Sequence, residues 1–169
     1  MSSPQGLRRC LGTALLARFA DEGMAVSMVL LALERGSGPA VGGLVMTAWM
    51  APHVLAAPVA GSALQRSPAP GRFCAASLAV FGCSIVALGV LLGRAPLALV
   101  LLVAVLGGSC GPVATGGLSS VLASLVPRSD RARAYGMDAV VYNVAWVAGP
   151  AVVALMATSA SAGWAAALL

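Results

Sequence analysis

The sequence predicts an all-α membrane protein, a polytopic bundle of transmembrane helices, and three observations carry that expectation. Apolar residues fill 60% of the 169 positions and charged ones 9%, against about a half and about a quarter in a soluble domain. The apolar residues gather in five runs of about 20 residues or more, the length that crosses a hydrocarbon layer of about 30 Å at about 1.5 Å per helical residue. The arginines, which supply all ten Lys+Arg positions, collect in alternate connections between the runs. Strands of a membrane barrel would alternate apolar and polar residues over about ten positions. These runs are longer and do not alternate, so helices are the spanning form left.

Residues 1–10, with Arg8 and Arg9, form the leading tail, and the first span runs Leu11–Leu33. A twin arginine ahead of an apolar stretch resembles an export signal. Here Arg18, Asp21 and Glu22 interrupt the apolar core and further spans follow, so the segment reads as a retained helix. The next spans are Val41–Leu64, Phe73–Leu92, Leu97–Val126 and Ala134–Ala157. The connections Glu34–Ala40, Gln65–Arg72, Gly93–Pro96 and Pro127–Arg133 are short and rich in Gly, Pro, Ser or Arg, as turns between antiparallel helices should be. Phe73–Leu92 holds nothing more polar than Ser77, Cys83 and Ser84, which suits a peripheral, lipid-facing helix. Residues 158–169 read as an outer loop, Thr158–Gly163, and the start at Trp164 of a sixth helix cut short at Leu169. The organisation is thus a tail over 1–10, a five-helix bundle over 11–157 and a terminal segment over 158–169.

Loops that stay in the cytoplasm retain positive charge. One side carries Arg8, Arg9, Arg66, Arg72, Arg128, Arg131 and Arg133, the other only Arg35 and Arg94. The expected arrangement is a multi-pass protein of the cell membrane with its amino terminus in the cytoplasm.

Polar residues inside a span face a bundle interior or a watery cavity. Arg18 precedes Asp21 and Glu22 by three and four residues, so the three share one helical flank. A local ion pair is one reading. The other uses depth: Asp21 lies about 15 Å past Leu11, near mid-bilayer, where desolvation disfavours an ionised carboxyl and a proton can be loaded and released. His53, between Pro52 and Pro58, sits about 18 Å from its entry side, either lining a cavity or bonded to a carbonyl in the packed interior. Asn143, flanked by Tyr142 and Trp146, lies about 15 Å past Arg133 and suits a substrate of mixed polarity or a neighbouring helix. Asp138 is shallower and is expected to partner the loop arginines. Gly107-x-x-x-Gly111 predicts close helix packing. Cys10, Cys74, Cys83 and Cys110 have no metal-ligand spacing and read as buried thiols. No cofactor, metal, nucleic acid or covalent catalysis is indicated.

Three segments carry a resemblance to a known family. Gly61-Ser-Ala-Leu-Gln65-Arg66 followed by Gly71-Arg72 resembles the loop signature of the major facilitator superfamily, with Gln65 where the family has Asp and Ser67-Pro-Ala-Pro70 lengthening the gap. Leu125-Val-Pro-Arg-Ser-Asp-Arg-Ala-Arg133-Ala is similar to the turn before that family's fifth helix. Asn143-Val-Ala-Trp-Val-Ala-Gly149-Pro150 is similar to the Gly-Pro signature found in the fifth helix of many exporters. The resemblance implies the amino-terminal half of a transporter built of two six-helix halves, each of inverted three-helix repeats, cut off early. It also implies a small organic solute as substrate, a proton gradient as driver, export as direction, and Asp21, Glu22, His53 and Asn143 facing the central path. The missing half, or another copy of the chain, would complete that path. The rival reading is a membrane fragment or scaffold subunit that transports nothing.

Alkaline phosphatase fused after Ser37 is expected to be active outside the cytoplasm, and the same fusion after Ser67 or Ser129 to be inactive; equal activity at all three would defeat the topology.

Overall fold

The computed structural model describes the backbone of residues 4–159 and the side chains of 5–157. The sixth helix expected from Trp164 lies outside the described residues, and Thr158 and Ser159 still belong to the helix before it. The long helices are α1 (Pro4–Glu34), α2 (Pro39–Arg66), α3 (Pro70–Leu91), α4 (Leu97–Pro112) with its continuation α5 (Leu118–Ser124), and α6 (Arg131–Ser159). A π-helical turn, Val113–Gly117, joins α4 to α5, and a 3-10 turn, Arg128–Asp130, leads into α6. The described residues contain no strand. Among the described residues, four helical stretches are long and apolar enough to cross a membrane: α2, α3, the continuous Leu97–Ser124 and Arg128–Ala157. The first helix is as long, at 31 residues, but is not among the four, because Arg18, Asp21 and Glu22 interrupt its apolar run.

Proline opens both α2 and α3, where its missing N–H would be unpaired in any case and its fixed φ suits the first turn. On the side opposite the chain start, Arg35 reaches from the α1–α2 turn to the end of α3. Its guanidinium donates to the carbonyls of Gly89 (2.7 Å), Val90 (3.3 Å) and Leu92, which the helix itself leaves unpaired. The chain turns directly beneath at Gly93 (φ +73°). A Cβ there would stand 2.9 Å from the Cβ of Arg35.

The α1 helix lies between α2 and α6, and α4 lies between α2 and α3. The most extensive helix pairs are α1 with α6 and α2 with α4. The main core joins Met24, Met28 and Leu31 of α1 to Val45 and Trp49 of α2, Phe81 and Ile85 of α3, and Val100 and Ala104 of α4. Lipid tails are as apolar as these side chains, so helix association depends on close van der Waals packing and polar pairing rather than on exclusion from water. Glycine at the crossings makes the approach close. Gly107 and Gly108 lie against the ring and the backbone carbonyl of Trp49, Gly111 lies against the His53 ring, and Gly42 would place a Cβ 2.7 Å from the Cα of Val29. The Gly107-x-x-x-Gly111 spacing therefore packs α4 on α2 within this chain.

One expectation needs correction. Cys10, Cys74 and Cys110 are buried or half-buried, but Cys83 is exposed; it lies nine residues from Cys74, hence on the opposite side of α3. The α3 helix leaves most of its apolar span unburied. It turns Phe81, Ser84, Ile85 and Leu88 into the bundle, whereas α2 and α6 show less of their length to neighbours, exposing Met50, Val54, Leu55 and Val59 on one and Val140, Val144, Trp146 and Val147 on the other.

Gly108→Ala is expected to cost about 1–3 kcal/mol through the forced displacement of α2. Gly43→Ala, in open space, should be nearly neutral; SDS-induced unfolding in mixed micelles measures both.

Candidate functional site

Arg18 is 2% exposed in the middle of α1, and its guanidinium, charged at any accessible pH, needs compensation where lipid surrounds the bundle. It does not find this in Asp21 and Glu22. Nη1 donates to Asp138 Oδ1 at 2.8 Å and to the Asp138 carbonyl at 3.2 Å. Nη2 donates to Asp138 Oδ2 (3.2 Å), Ser119 Oγ (2.9 Å) and the Thr115 carbonyl (3.0 Å). Ser119 Oγ in turn donates to Asp138 Oδ2 at 2.6 Å, and the ring of Tyr142 lies 5.1 Å from the guanidinium carbon, within cation–π range. One side chain of α1 thus binds α6, α5 and the π turn together. The local-pair expectation fails because the guanidinium points across to α6 and is taken up by Asp138, although Asp21 and Glu22 share its flank of α1. Asp138, expected to serve the loop arginines, is instead the buried counter-ion.

The π turn follows Pro112, which has no N–H to continue the helical ladder. Such turns shift the bonding pattern by one residue and are frequent at functional sites. Here the Thr115 carbonyl accepts from Arg18 Nη2 at 3.0 Å.

Almost one turn further along α1, Asp21 Oδ1 accepts a hydrogen bond from Trp49 Nε1 at 2.9 Å. Trp49 is 1% exposed, with its ring 5.1 Å from that of Phe81. His53 Nδ1 stands 3.2 Å from the Trp49 carbonyl; a carbonyl only accepts, so Nδ1 carries the proton in that bond. The half-buried His53 ring lies against Gly111. Glu22 is half-buried, and its Cβ would stand 3.2 Å from a Cβ at Gly149. Tyr142 lies within electrostatic reach of Arg18, Asp21 and Glu22. Among the described residues no ion pair joins either acid to a cation.

The structure therefore gathers Arg18, Asp21, Glu22, Tyr142 and, through Trp49, His53. It does not gather Asn143 or Trp146. Asn143 is exposed and donates to Ala139 O of its own helix at 2.7 Å, while Trp146 is 60% exposed. Gly149, beside Pro150, brings α6 onto α1: a Cβ there would meet Phe19 O at 2.9 Å and Gly23 N at 3.0 Å. Gly61 and Gln65 line a cleft of about 230 Å³ together with Thr115, Gly116 and Ser120 of the π turn and its continuation. Arg66 ends α2, and Gly71 and Arg72 stand exposed in the first turn of α3. Trp49, Thr115 and Ser119 went unassigned by sequence reasoning, and Asp138 was given the wrong partner. The one local signal was Gly116-Gly117 close after Pro112, which marks a break in the helical ladder.

Residues 10–169 match the family model described as Major Facilitator Superfamily. An uncharacterised MFS-type transporter of Sinorhizobium fredii is 29% identical over 155 residues, which make up 89% of this chain and 38% of that relative. The chain thus spans well under half the length of the curated relative it matches. No solved structure matches it.

Arg18→Met should cost about 3–5 kcal/mol, the range for removing one partner of a buried ion pair. Asp138→Asn should cost at least as much, since it strands a guanidinium that cannot deprotonate. The Arg18→Met/Asp138→Leu double variant should recover most of the loss, and a double-mutant cycle on SDS unfolding reads the coupling.

Proposed function

The chain belongs to the major facilitator superfamily, and from that premise we propose that it supplies five spans and the proton-carrying carboxylates of a transporter that expels a small organic solute in exchange for protons. Members of this family are transporters, not enzymes. The observation that carries the proton reading is the commitment of Arg18 to Asp138, which leaves Asp21 and Glu22 without a neutralising cation among the described residues. Asp21 keeps one carboxyl oxygen on the Trp49 N–H and has the other to hold or release a proton. The Trp49 bond is compatible with both states, because an acid and a carboxylate each present an acceptor oxygen. A carboxylate at that depth is expensive where water is excluded and inexpensive where water reaches. Opening the bundle to one face and then the other would therefore load and discharge it.

In this reading Tyr142 and Trp146, one helical turn apart, present aromatic surface to the solute beside the acids, and Asn143 adds a polar edge. The bare faces of α2 and α6 meet a second set of helices, from another copy or another chain, that closes the path. His53 steadies Trp49 and so the orientation of Asp21. Export is favoured by the Gly149-Pro150 segment, whose glycine sets the α1–α6 crossing beside Glu22.

In energised inside-out vesicles carrying the protein, a transported solute is expected to discharge the pH gradient. Asp21→Asn or Glu22→Gln should reduce that discharge at least about ten-fold while leaving membrane insertion intact. Unchanged exchange in both variants removes the proton reading, and a wild-type protein that moves no solute in either direction supports a scaffold instead.

A further inference from the structure

An arginine side chain carries five N–H donors in a fixed fork. The donors on the two terminal nitrogens of Arg18 all reach across the bundle: Nη1 to the carboxylate and carbonyl of Asp138, Nη2 to Asp138, Ser119 and the Thr115 carbonyl. The fifth donor, on Nε, is buried and makes no hydrogen bond. A guanidinium cannot shed that proton, and a buried donor without an acceptor bears the whole cost of its lost hydration. The other buried side-chain atom in this position among the described residues is Ser27 Oγ. It stands nine residues on and about 180° round α1, on a different side of the helix.

Nε is the donor nearest the stem, and so nearest to α1 itself. Glu22 lies four residues on, about 6 Å along the axis and about 40° round it, the spacing at which helical side chains meet. Side chains on a helix lean toward its amino terminus, which carries the Glu22 arm back toward Arg18. The Glu22 side chain is half-buried and joins no hydrogen bond or ion pair among the described residues. On its other side the α6 backbone comes close at Gly149, where a Cβ would stand 3.2 Å from the Glu22 Cβ. Asp21 is the poorer candidate. It lies about 60° round in the opposite sense, has a shorter arm, and already accepts from Trp49 Nε1.

The other ionisable groups around this pair are Asp21 and Cys10 on α1, and Asp138 and Tyr142 on α6. From α2 and α3, His53 reaches Asp21 and Cys74 reaches Cys10. The π turn and α5 present a carbonyl and a hydroxyl.

We infer that Glu22 docks on Arg18 Nε when ionised and leaves it when protonated, switching the guanidinium between two carboxylate partners and one. A hydrogen bond between two charged groups is about twice as strong as one between neutral groups, so protonation removes most of the reason to dock. The switch adds to the Arg18–Asp138 pair and does not replace it. Its role in transport rests on the proton reading above: the proton that rearranges the α1–α6 seam is assigned to Glu22, while Asp21 stays on Trp49 in both states.

The Nε–H of Arg18 gives its own proton–nitrogen NMR signal in the full chain, labelled on arginine and held in detergent micelles, and Arg18→Lys identifies it by its loss. As the pH rises, that signal should move downfield in one step. Its exchange with water, referred to the exposed Arg72 in the same sample, should slow about ten-fold. Glu22→Gln should hold the signal at its low-pH position throughout, and Asp21→Asn should keep the step. A wild-type signal that does not move with pH overturns the inference. So does a step that survives Glu22→Gln, or one that is lost in Asp21→Asn alone. Should Arg18→Lys fail to fold, the signal is the Nε–H whose pH step differs between wild type and Glu22→Gln, and the absence of any such signal is equally fatal. No solute is present, so the two readings fail separately. A step in a protein that moves no solute upholds the switch against the transport reading, and proton exchange without a step does the reverse.

Discussion

The bundle is organised around a charge that cannot be removed. Arg18 enters the membrane on α1, and its guanidinium has no neutral form to retreat to. A carboxylate 120 positions along the chain, a hydroxyl and two backbone carbonyls converge on it. Meeting that demand fixes the register of α1 against α6 and holds the π turn against α1. Buried ion pairs are weak evidence for stability, since desolvation offsets much of the attraction. Their geometric consequence is firmer: donors in a rigid planar fork are satisfied in one arrangement of the surrounding helices and few others.

Around this polar centre, backbone proximity does what hydrophobic exclusion does in water. Glycines stand where α4 meets α2, where α2 meets α1 and where α6 meets α1, so the two most extensive helix pairs are also those with the smallest side chains at their crossings. Trp49 links both features. Its ring and carbonyl fit against Gly107 and Gly108, and its indole N–H holds Asp21. A change in the protonation or orientation of Asp21 would therefore act directly on the tightest seam in the bundle.

The consequence for function lies in which charges are left over. Because Asp138 absorbs Arg18, the acids on α1 stand near Tyr142 without compensation, a costly arrangement in a membrane unless it is used. The motif segments are placed around the same centre. Gly149 sets the α1–α6 distance beside Glu22, and Gly61 with Gln65 faces the π turn that Arg18 grips. The bare apolar faces of α2 and α6 flank this region.

Span existence, length and order were legible in the sequence, because the hydrocarbon thickness and the need to pair every backbone N–H and C=O within the span admit little else. So were the turns, and the part glycine plays in packing α4. Counting residues at a fixed rise gives a position along each helix. What counting does not provide is the neighbour opposite. The choice of Asp138, 120 positions along the chain, over Asp21 and Glu22 as the partner of Arg18 depends on how α1 is rotated within the bundle. The outward turn of Asn143 and Cys83 and the inward turn of Trp49 depend on the same rotations. Periodicity states which residues share a face, and only the packed bundle decides what that face meets.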